Sequence, residues 1–256
     1  MDSFLNKIVD KIYVLYVSND EKEIFKSNNT TLQYDFFKDV YGKNLKEEFD
    51  IYNKTSQIIP KTHKYYTELK KYFDWYFSIV KTKKRISTLG QLGHIKSHIK
   101  IIKDAIQNNY ETILLLEPDV AFHKNFNNID IKNYEKLIKN NSIIYLGASQ
   151  HEWINPFSRK KVILNKKENY YNCEHTTGTF AVLLKKEVFE DYLSILELKY
   201  MPSDIALTFI QNNYNCIVLY PNLIISDVRT SKISTPRNLE KMAKKFKWNM
   251  NLYLIK

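Results

Sequence analysis

The hydrophobic positions of the chain fall into short runs that end at polar or turn-forming residues. Runs rich in β-branched and aromatic residues at positions 12–17 and 32–37 predict two strands. Between them, about residues 20–26 are predicted to form a short helix that Ser18 or Asn19 caps. This strand–helix–strand order is typical of the opening half of a nucleotide-binding α/β sheet.

The alternation of strands and helices continues along the rest of the chain. Four isoleucines recur at spacings that place them on one face of a helix: Ile95, Ile99, Ile102 and Ile106. Further strands are predicted at residues 113–116, 143–147, 177–184 and 216–220, and further helices at about 186–196, from 202 onward and at 238–248. We therefore expect an α/β fold with helices flanking the sheet, in a single domain over residues 1–256.

Two stretches fit this sheet less well. Residues 49–84 are dense in aromatic side chains with basic residues between them, as in the run at 72–77. They predict either an amphipathic helix that packs its aromatic side chains on the sheet, or a platform on which a sugar or a base stacks. The last stretch, about residues 236–256, is basic and is predicted to form a helical tail.

The composition of the chain limits the partners and the compartment that we expect for it. Lys and Arg outnumber Asp and Glu by 39 to 28, and the net charge of +11 suits an anionic partner such as nucleic acid, a membrane surface or a phosphorylated small molecule. A general lysine bias would explain the same charge without any function. The apolar runs are too short to span a bilayer, and the N-terminus lacks the apolar core of a signal peptide. With Cys173 and Cys216 far apart, we expect a soluble, cytoplasmic protein in a reducing compartment.

The clearest chemical signal follows the strand at residues 113–116. Its four consecutive apolar residues predict burial on both faces, and it ends abruptly in Glu117-Pro118-Asp119. Pro118 removes a backbone donor and turns the chain out of the sheet, at the strand end where ligands bind in open α/β sheets. Two carboxylates there would hold a hard cation, Mn²⁺ or Mg²⁺, although an acidic turn after a core strand gives the same pattern.

Other segments would serve a nucleotide diphosphate. The basic residues 83–85, followed by Gly90 and Gly93 before a predicted helix, would seat a phosphate on free backbone N–H groups. If the nucleotide carries a sugar, an inverting transfer needs a carboxylate to take the proton of the acceptor hydroxyl. Asp204 is our candidate for that base, and its alternative role is that of a helix N-cap.

Several segments of the chain resemble glycosyltransferase family 25, the lipopolysaccharide and procollagen galactosyltransferase family. Residues 89–98 are similar to its Leu-Gly-Glu-x-Gly-Cys-x-x-Ser-His signature, and residues 116–120 (Leu-Glu-Pro-Asp-Val) to its Leu-Glu-Asp-Asp-Val metal motif. The remaining similar segments are residues 179–183, 201–204, 220–221 and 226–231. The resemblance covers roughly residues 85–235 in the family's order.

The resemblance implies a GT-A-type, Rossmann-like mixed sheet, a UDP-sugar donor, Mn²⁺ and inversion at the anomeric carbon. It implies that Glu117 and Asp119 hold the metal, with Asp227 as a further metal or donor contact. It also places Asp204 near the acceptor, a glycan or protein. The aromatic residues of the stretch 49–84 would suit a lid on the acceptor side. The residues that it assigns to the nucleotide sugar are Gly90, Gln91, Ser97, His98 and Glu117.

The chain departs from the family pattern at several positions. Gln91 stands in place of Glu, His94 in place of Cys, Pro118 in place of the middle Asp, and Tyr41 in place of an acid before Gly42. A catalytically inactive relative that binds nucleotide or glycan therefore remains an alternative to a metal-dependent glycosyltransferase. A nucleic-acid-binding protein is the third hypothesis, but charge alone does not explain carboxylates at a strand end, so that partner is not expected. The sequence leaves the sugar, the acceptor and the oligomeric state open.

Overall fold

The computed structural model describes residues 4–28, 30–40, 42–54, 58–79, 86–128, 132–229 and 237–255. Its strands are β1 Lys11–Tyr16, β2 Asp35–Lys38, β3 Thr112–Leu116, β4 Val120–Phe122, β5 Ile143–Tyr145, β6 Leu164–Asn165, β7 Tyr170–Asn172, β8 Ala181–Lys185, β9 Cys216–Leu219 and β10 Ile224–Ser226. Its α-helices are α1 Leu5–Ile8, α2 Asn19–Lys26, α3 Lys46–Lys54, α4 Tyr66–Ile79, α5 Leu89–Gln107, α6 Lys132–Asn140, α7 Lys186–Glu197, α8 Ser203–Thr208 and α9 Leu239–Phe246. Short 3-10 helices span Gly42–Leu45, Phe126–Asn128, Gln211–Asn213 and Met250–Leu252.

Within these described residues, eight strands form one mixed sheet in the order β2-β1-β3-β8-β5-β9-β7-β6. Strand β1 lies parallel to both β2 and β3, and β5 lies parallel to β9. Strand β8 runs antiparallel to its neighbours β3 and β5. The predicted α/β fold, a mixed sheet flanked by helices, is confirmed.

Strand β3 joins the two hydrophobic cores that cover the faces of this sheet. Successive side chains of a strand point to opposite faces. Leu114 and Leu116 accordingly pack into one core, with α1, α6 and α9. Ile113 and Leu115 pack into the other, with α4, α5, α7 and α8. All four side chains are fully buried, as their uninterrupted apolar sequence predicts.

The chain leaves the main sheet directly after β3. The backbone N–H of Glu117 still donates to Phe180 O at 2.9 Å, and Pro118 has no N–H to continue the ladder. Strand β4 then pairs antiparallel with β10 in a separate two-stranded sheet. At the end of this pair, the backbone N–H of Asp227 donates to Asp119 O at 2.6 Å. A C-terminal segment is thereby attached to the turn that follows β3.

Several predicted boundaries differ from the structure. Residues 177–180 form a loop before β8, because Thr177 pairs with Ser149 outside the sheet. The short, polar strands β6 and β7 carry no alternating pattern and were not predicted. Ser18 caps α2, as predicted, in a capping box with Glu21.

The predicted phosphate seat before α5 is wrong in its geometry. The helix begins at Leu89, with Thr88 as its N-cap, so both glycines lie inside the helix. A Cβ atom on Gly93 would lie 2.3 Å from Val40 O, so this glycine allows close backbone packing rather than a phosphate loop. The basic residues 83–85 lie outside the described residues.

The aromatic stretch contains α3 and α4, and the basic tail contains α9. Tyr65, Leu69, Tyr72 and Phe73 pack into the core beside α5 and α7, as the amphipathic-helix interpretation expects. Among the described residues, none of the helices has both the length and the apolarity needed to cross a membrane.

Candidate active site

A cavity of about 270 Å³ lies where β3 ends. The structure brings four of the predicted site residues together on its wall: Gln91, Glu117, Asp119 and Asp204. The wall also contains polar residues that the sequence did not single out for a site, among them His94, Ser149, His151, Ser203, Ser226 and Arg237. The carboxylates predicted at the strand end therefore face a cavity rather than an exposed turn.

Of the two carboxylates after β3, Asp119 is the one whose charged form is disfavoured by its surroundings. Its Oδ1 atom is buried and has no hydrogen-bond partner among the described residues. Burial first, and then the negative charge of Glu117, raise the pKa of Asp119 well above its usual range. A buried carboxylate oxygen without a donor needs a partner, and the described residues do not supply one.

This donor set fits a hard divalent cation held by two carboxylates. Across the described ranges, no group of three or more His, Cys, Asp or Glu side chains forms a metal cage. Mg²⁺ and similar ions are commonly held by one or two carboxylates, and water and substrate phosphates complete their coordination. Glu117 and Asp119 would hold such an ion here.

His94 connects α5 to the carboxylates. Its Nδ1 lies 2.8 Å from Ser203 Oγ, and its Nε2 lies 3.4 Å from Oε1 of Glu117. Burial lowers the pKa of His94, but the neighbouring carboxylates, Glu117 above all, outweigh burial and raise it to about 8. An imidazolium is therefore favoured beside Glu117 at neutral pH. The signal in the sequence was helical spacing, since Gln91 and His94 are three residues apart on α5 and line the same cavity.

Asp204 lies in the first turn of α8. The helix begins at Ser203 with Pro202 as its N-cap, so the alternative role of Asp204 as a helix cap is wrong. Its Oδ1 accepts a hydrogen bond from the N–H of Ile205 at 2.9 Å. Burial raises the pKa of Asp204, and this backbone hydrogen bond partly opposes the rise. A carboxylate of raised pKa on the cavity wall can accept a proton from a bound hydroxyl.

The other predicted residues are described by the structure but do not line this cavity: Gly90, Ser97, His98 and Asp227. Ser97 is buried; it donates to the Asp39 carboxylate and accepts from the N–H of Val40 at 2.7 Å. His98 is buried, with Nδ1 3.0 Å from the hydroxyl of Tyr192. These side chains brace α5 against its neighbours.

Asp39 and Asp227 add charge near the cavity. Asp39, which follows β2, was not predicted, and burial raises its pKa to about 6 while His94 opposes the rise. The signal in the sequence that could have identified Asp39 was its position directly after a strand. The Asp227 carboxylate accepts from Arg229 Nε at 2.8 Å, and its negative charge adds to the raised pKa of Asp119. Asp227 therefore acts on the site through Asp119.

A family profile decides the class of protein. The profile described as glycosyltransferase family 25 (LPS biosynthesis protein) matches residues 10–215. The chain belongs to glycosyltransferase family 25. Membership of this family confirms the resemblance found in the sequence and supports glycosyl transfer as the reaction class. The matched region of this family 25 protein ends before Ser226 and Arg237. Part of the cavity wall therefore lies outside the match.

Two solved structures are similar to this family 25 chain at low sequence identity. One is the crystal structure of A197 from STIV, at 12% identity and a TM-score of 0.31, with 82% of this chain and 81% of that chain covered. The other is a glycosyltransferase involved in the glycosylation of the major capsid of PBCV-1, at 11% identity and a TM-score of 0.42, with coverages of 93% and 96%. A search of curated proteins found no match.

Proposed function

We propose that this chain is a metal-dependent glycosyltransferase that moves a sugar from a UDP-sugar to a hydroxyl group of a glycan or protein, with inversion. One observation carries the proposal. Glu117, Asp119 and Asp204 line a single cavity, and a buried oxygen of Asp119 has no partner among the described residues. The arrangement would place a cation site and a proton acceptor within the same space.

Glu117 and Asp119 would hold Mn²⁺ or Mg²⁺. When bound, such an ion neutralises the charge that develops on a departing nucleotide diphosphate. The His94 imidazole lies 3.4 Å from the Glu117 carboxylate, and its positive charge would favour the ionised form of Glu117. Arg237 also lines the cavity and is exposed, so its guanidinium would donate charge-assisted hydrogen bonds to the diphosphate.

Asp204 would act on the acceptor. Direct inversion requires the acceptor oxygen to attack the anomeric carbon as the bond to the diphosphate breaks, and the hydroxyl proton must go to a base. Asp204 would receive that proton. The backbone N–H of Ile205 holds its Oδ1, which keeps the carboxylate oriented.

The first experiment measures thermal stability with and without UDP and Mn²⁺. We expect UDP with Mn²⁺ to raise Tm by mass action, and Asp119→Ala to abolish the rise. Glu111→Gln is the matched control, since Glu111 is an exposed carboxylate just before the other end of β3. A rise that Asp119→Ala leaves intact would refute the metal site, and no rise with any UDP-sugar would refute the donor.

The second experiment separates catalysis from binding. Asp204→Asn should keep the Tm shift and lose Mn²⁺-dependent hydrolysis of the UDP-sugar, because only the proton acceptor is removed. NMR of the released sugar would show inversion at the anomeric carbon. Pro118 in place of an acid favours the inactive-relative hypothesis, which predicts the Tm shift without any hydrolysis by the wild type.

A further inference from the structure

A second cavity of about 240 Å³ lies beside the proposed active site. Three aromatic side chains line it: Tyr72 of α4, Phe157, and Phe209 just after α8. The ring centroid of Tyr72 lies 6.0 Å from that of Phe157 and 5.2 Å from that of Phe209. Trp75, at 36% exposure, packs edge-on against Phe157 at 5.0 Å and extends the aromatic surface toward solvent.

Polar groups share this wall with the aromatic rings. Asn155, Ser158, His175 and Asn212 also line the cavity, and the charged residues Glu68 and Lys71 lie at its exposed rim. Burial lowers the pKa of His175 to about 4, so its imidazole is neutral at pH 7 and offers both a donor and an acceptor. Flat apolar rings beside donors and acceptors match a sugar ring, which has apolar C–H faces and hydroxyl groups at its edge.

Two segments of the chain contribute residues to both cavities. Helix α8 presents Asp204 to the first cavity and Thr208 to the second, about 6 Å apart along the helix axis. The loop before β8 places Gly178 in the first cavity and His175 in the second. Burial raises the pKa of Tyr72, and the charges of Tyr76 and, less strongly, Asp204 raise it further.

We infer that this second cavity binds a sugar ring of the acceptor, one residue away from the hydroxyl group that is glycosylated. The inference rests on the proposed function, because Asp204 marks the acceptor side of the active site. A ring stacked on the half-buried Phe157 would orient the neighbouring part of the acceptor toward Asp204. The acceptor is therefore a glycan of at least two sugar residues, or a protein that already carries a sugar.

Saturation-transfer NMR tests this inference with lactose, cellobiose, methyl β-galactoside and methyl β-glucoside as probes. We expect saturation of at least one probe by the wild type, and about tenfold weaker binding by Phe157→Ala. Asn212→Ala removes a polar partner at the exposed rim without disturbing the core, and should weaken binding about fivefold. Phe36→Ala, a half-buried aromatic on edge strand β2, is the matched control and should bind like the wild type.

The outcomes separate this inference from the proposed function. Phe157→Ala should keep the Tm shift with UDP and Mn²⁺, and Asp119→Ala should keep glycoside binding. If no probe binds the wild type, or if Phe157→Ala and Asn212→Ala both bind as the wild type does, the acceptor site is refuted while the donor proposal stands. If glycosides bind through Phe157 but UDP with Mn²⁺ never shifts Tm, the transferase proposal fails, and with it the acceptor role of this glycan-binding cavity.

Discussion

Two partly buried aspartates contrast a carboxylate that stabilises the fold with one that lines the proposed site. Asp191 on α7 is 12% exposed and accepts from three donors, with Lys64 Nζ at 2.7 Å, the Tyr65 hydroxyl at 2.5 Å and the Tyr214 hydroxyl at 2.8 Å. Burial alone would raise the pKa of Asp191, but these donors lower it below its usual value. Asp119 has a buried Oδ1 without a partner among the described residues, and its pKa is raised.

The difference lies in whether the fold supplies the partners. A carboxylate that receives several donors is stabilised in its charged form, and folding gains from it. A carboxylate beside Glu117, with one buried oxygen that no described residue satisfies, is disfavoured in its charged form, and a bound cation would relieve that cost. Unsatisfied polar groups of this kind cluster at functional sites.

The largest effect on activity is expected from Asp119→Asn. Because Asp119 would be a direct metal ligand, the variant should lose at least about a hundredfold in Mn²⁺-dependent activity, measured as UDP-sugar turnover. A raised pKa in the folded state means that ionised Asp119 costs stability as pH rises through that pKa. The metal-free variant should therefore unfold at the same Tm as the wild type or higher at pH 7, and a clear drop would break the comparison.

Asp191→Asn should have the opposite effect on stability. Loss of the charged acceptor should lower the free energy of unfolding by about 1.5–3 kcal/mol at pH 7, measured by urea denaturation. Since the folded pKa is lowered, this contribution is present above the unfolded pKa and is lost as pH falls through the folded one. The gap between wild type and variant should therefore shrink below about pH 4. A gap independent of pH would contradict the electrostatic explanation.

Gly93→Ala tests whether this glycine, which lies behind the cavity, is needed for close packing or for phosphate binding. The added Cβ would meet Val40 O, at a typical overpacking cost of about 1–3 kcal/mol. Removal of a glycine from a helix interior offsets about 1 kcal/mol of that cost. A net loss of about 1 kcal/mol should appear in urea denaturation, with UDP affinity unchanged. Weaker UDP binding at unchanged stability would restore the predicted phosphate seat.

The smallest effect is expected for the exposed pair Lys186–Glu111, whose charged atoms are 2.7 Å apart. Both side chains are largely in solvent, so Lys186→Ala should change the free energy of unfolding by no more than about 0.5 kcal/mol. Urea denaturation in low and high salt would check this value. A larger, salt-independent loss would show that burial is not what separates Asp191 from surface ion pairs.

The parts of the fold that sequence predicted are those set by local pattern. The uninterrupted apolar run at residues 113–116 predicted β3. The position of Glu117 and Asp119 directly after it predicted that they would line a site. The strand pair β4–β10 joins residues about a hundred positions apart, and no local pattern encodes that pairing. The same holds for Arg237, which lines the cavity although it lies 11 residues after the last residue of β10, Ser226.

The isoleucine spacing predicted helix α5 correctly, but the position of its first turn and the face that lines the cavity did not follow from the sequence. Gly90 and Gly93 look like a loop in sequence, yet the helix already begins at Leu89. Ser97 and His98 were taken from a resemblance to a motif, and one or two helical turns beyond Gln91 place them behind the cavity rather than on its wall. Which face of a helix borders an empty space depends on the packing of distant elements, which spacing alone does not give.

The hydrogen bond from Asp227 N–H to Asp119 O couples the segment after β10 to the turn that carries Asp119. This segment lies outside the matched family region, so it can shift the position of Asp119 while the central sheet stays as it is. If Asp119 holds a metal ion as proposed, exchange of this segment between relatives should retune metal and donor preference. Specificity can then change at the periphery of the chain while the central sheet is left intact.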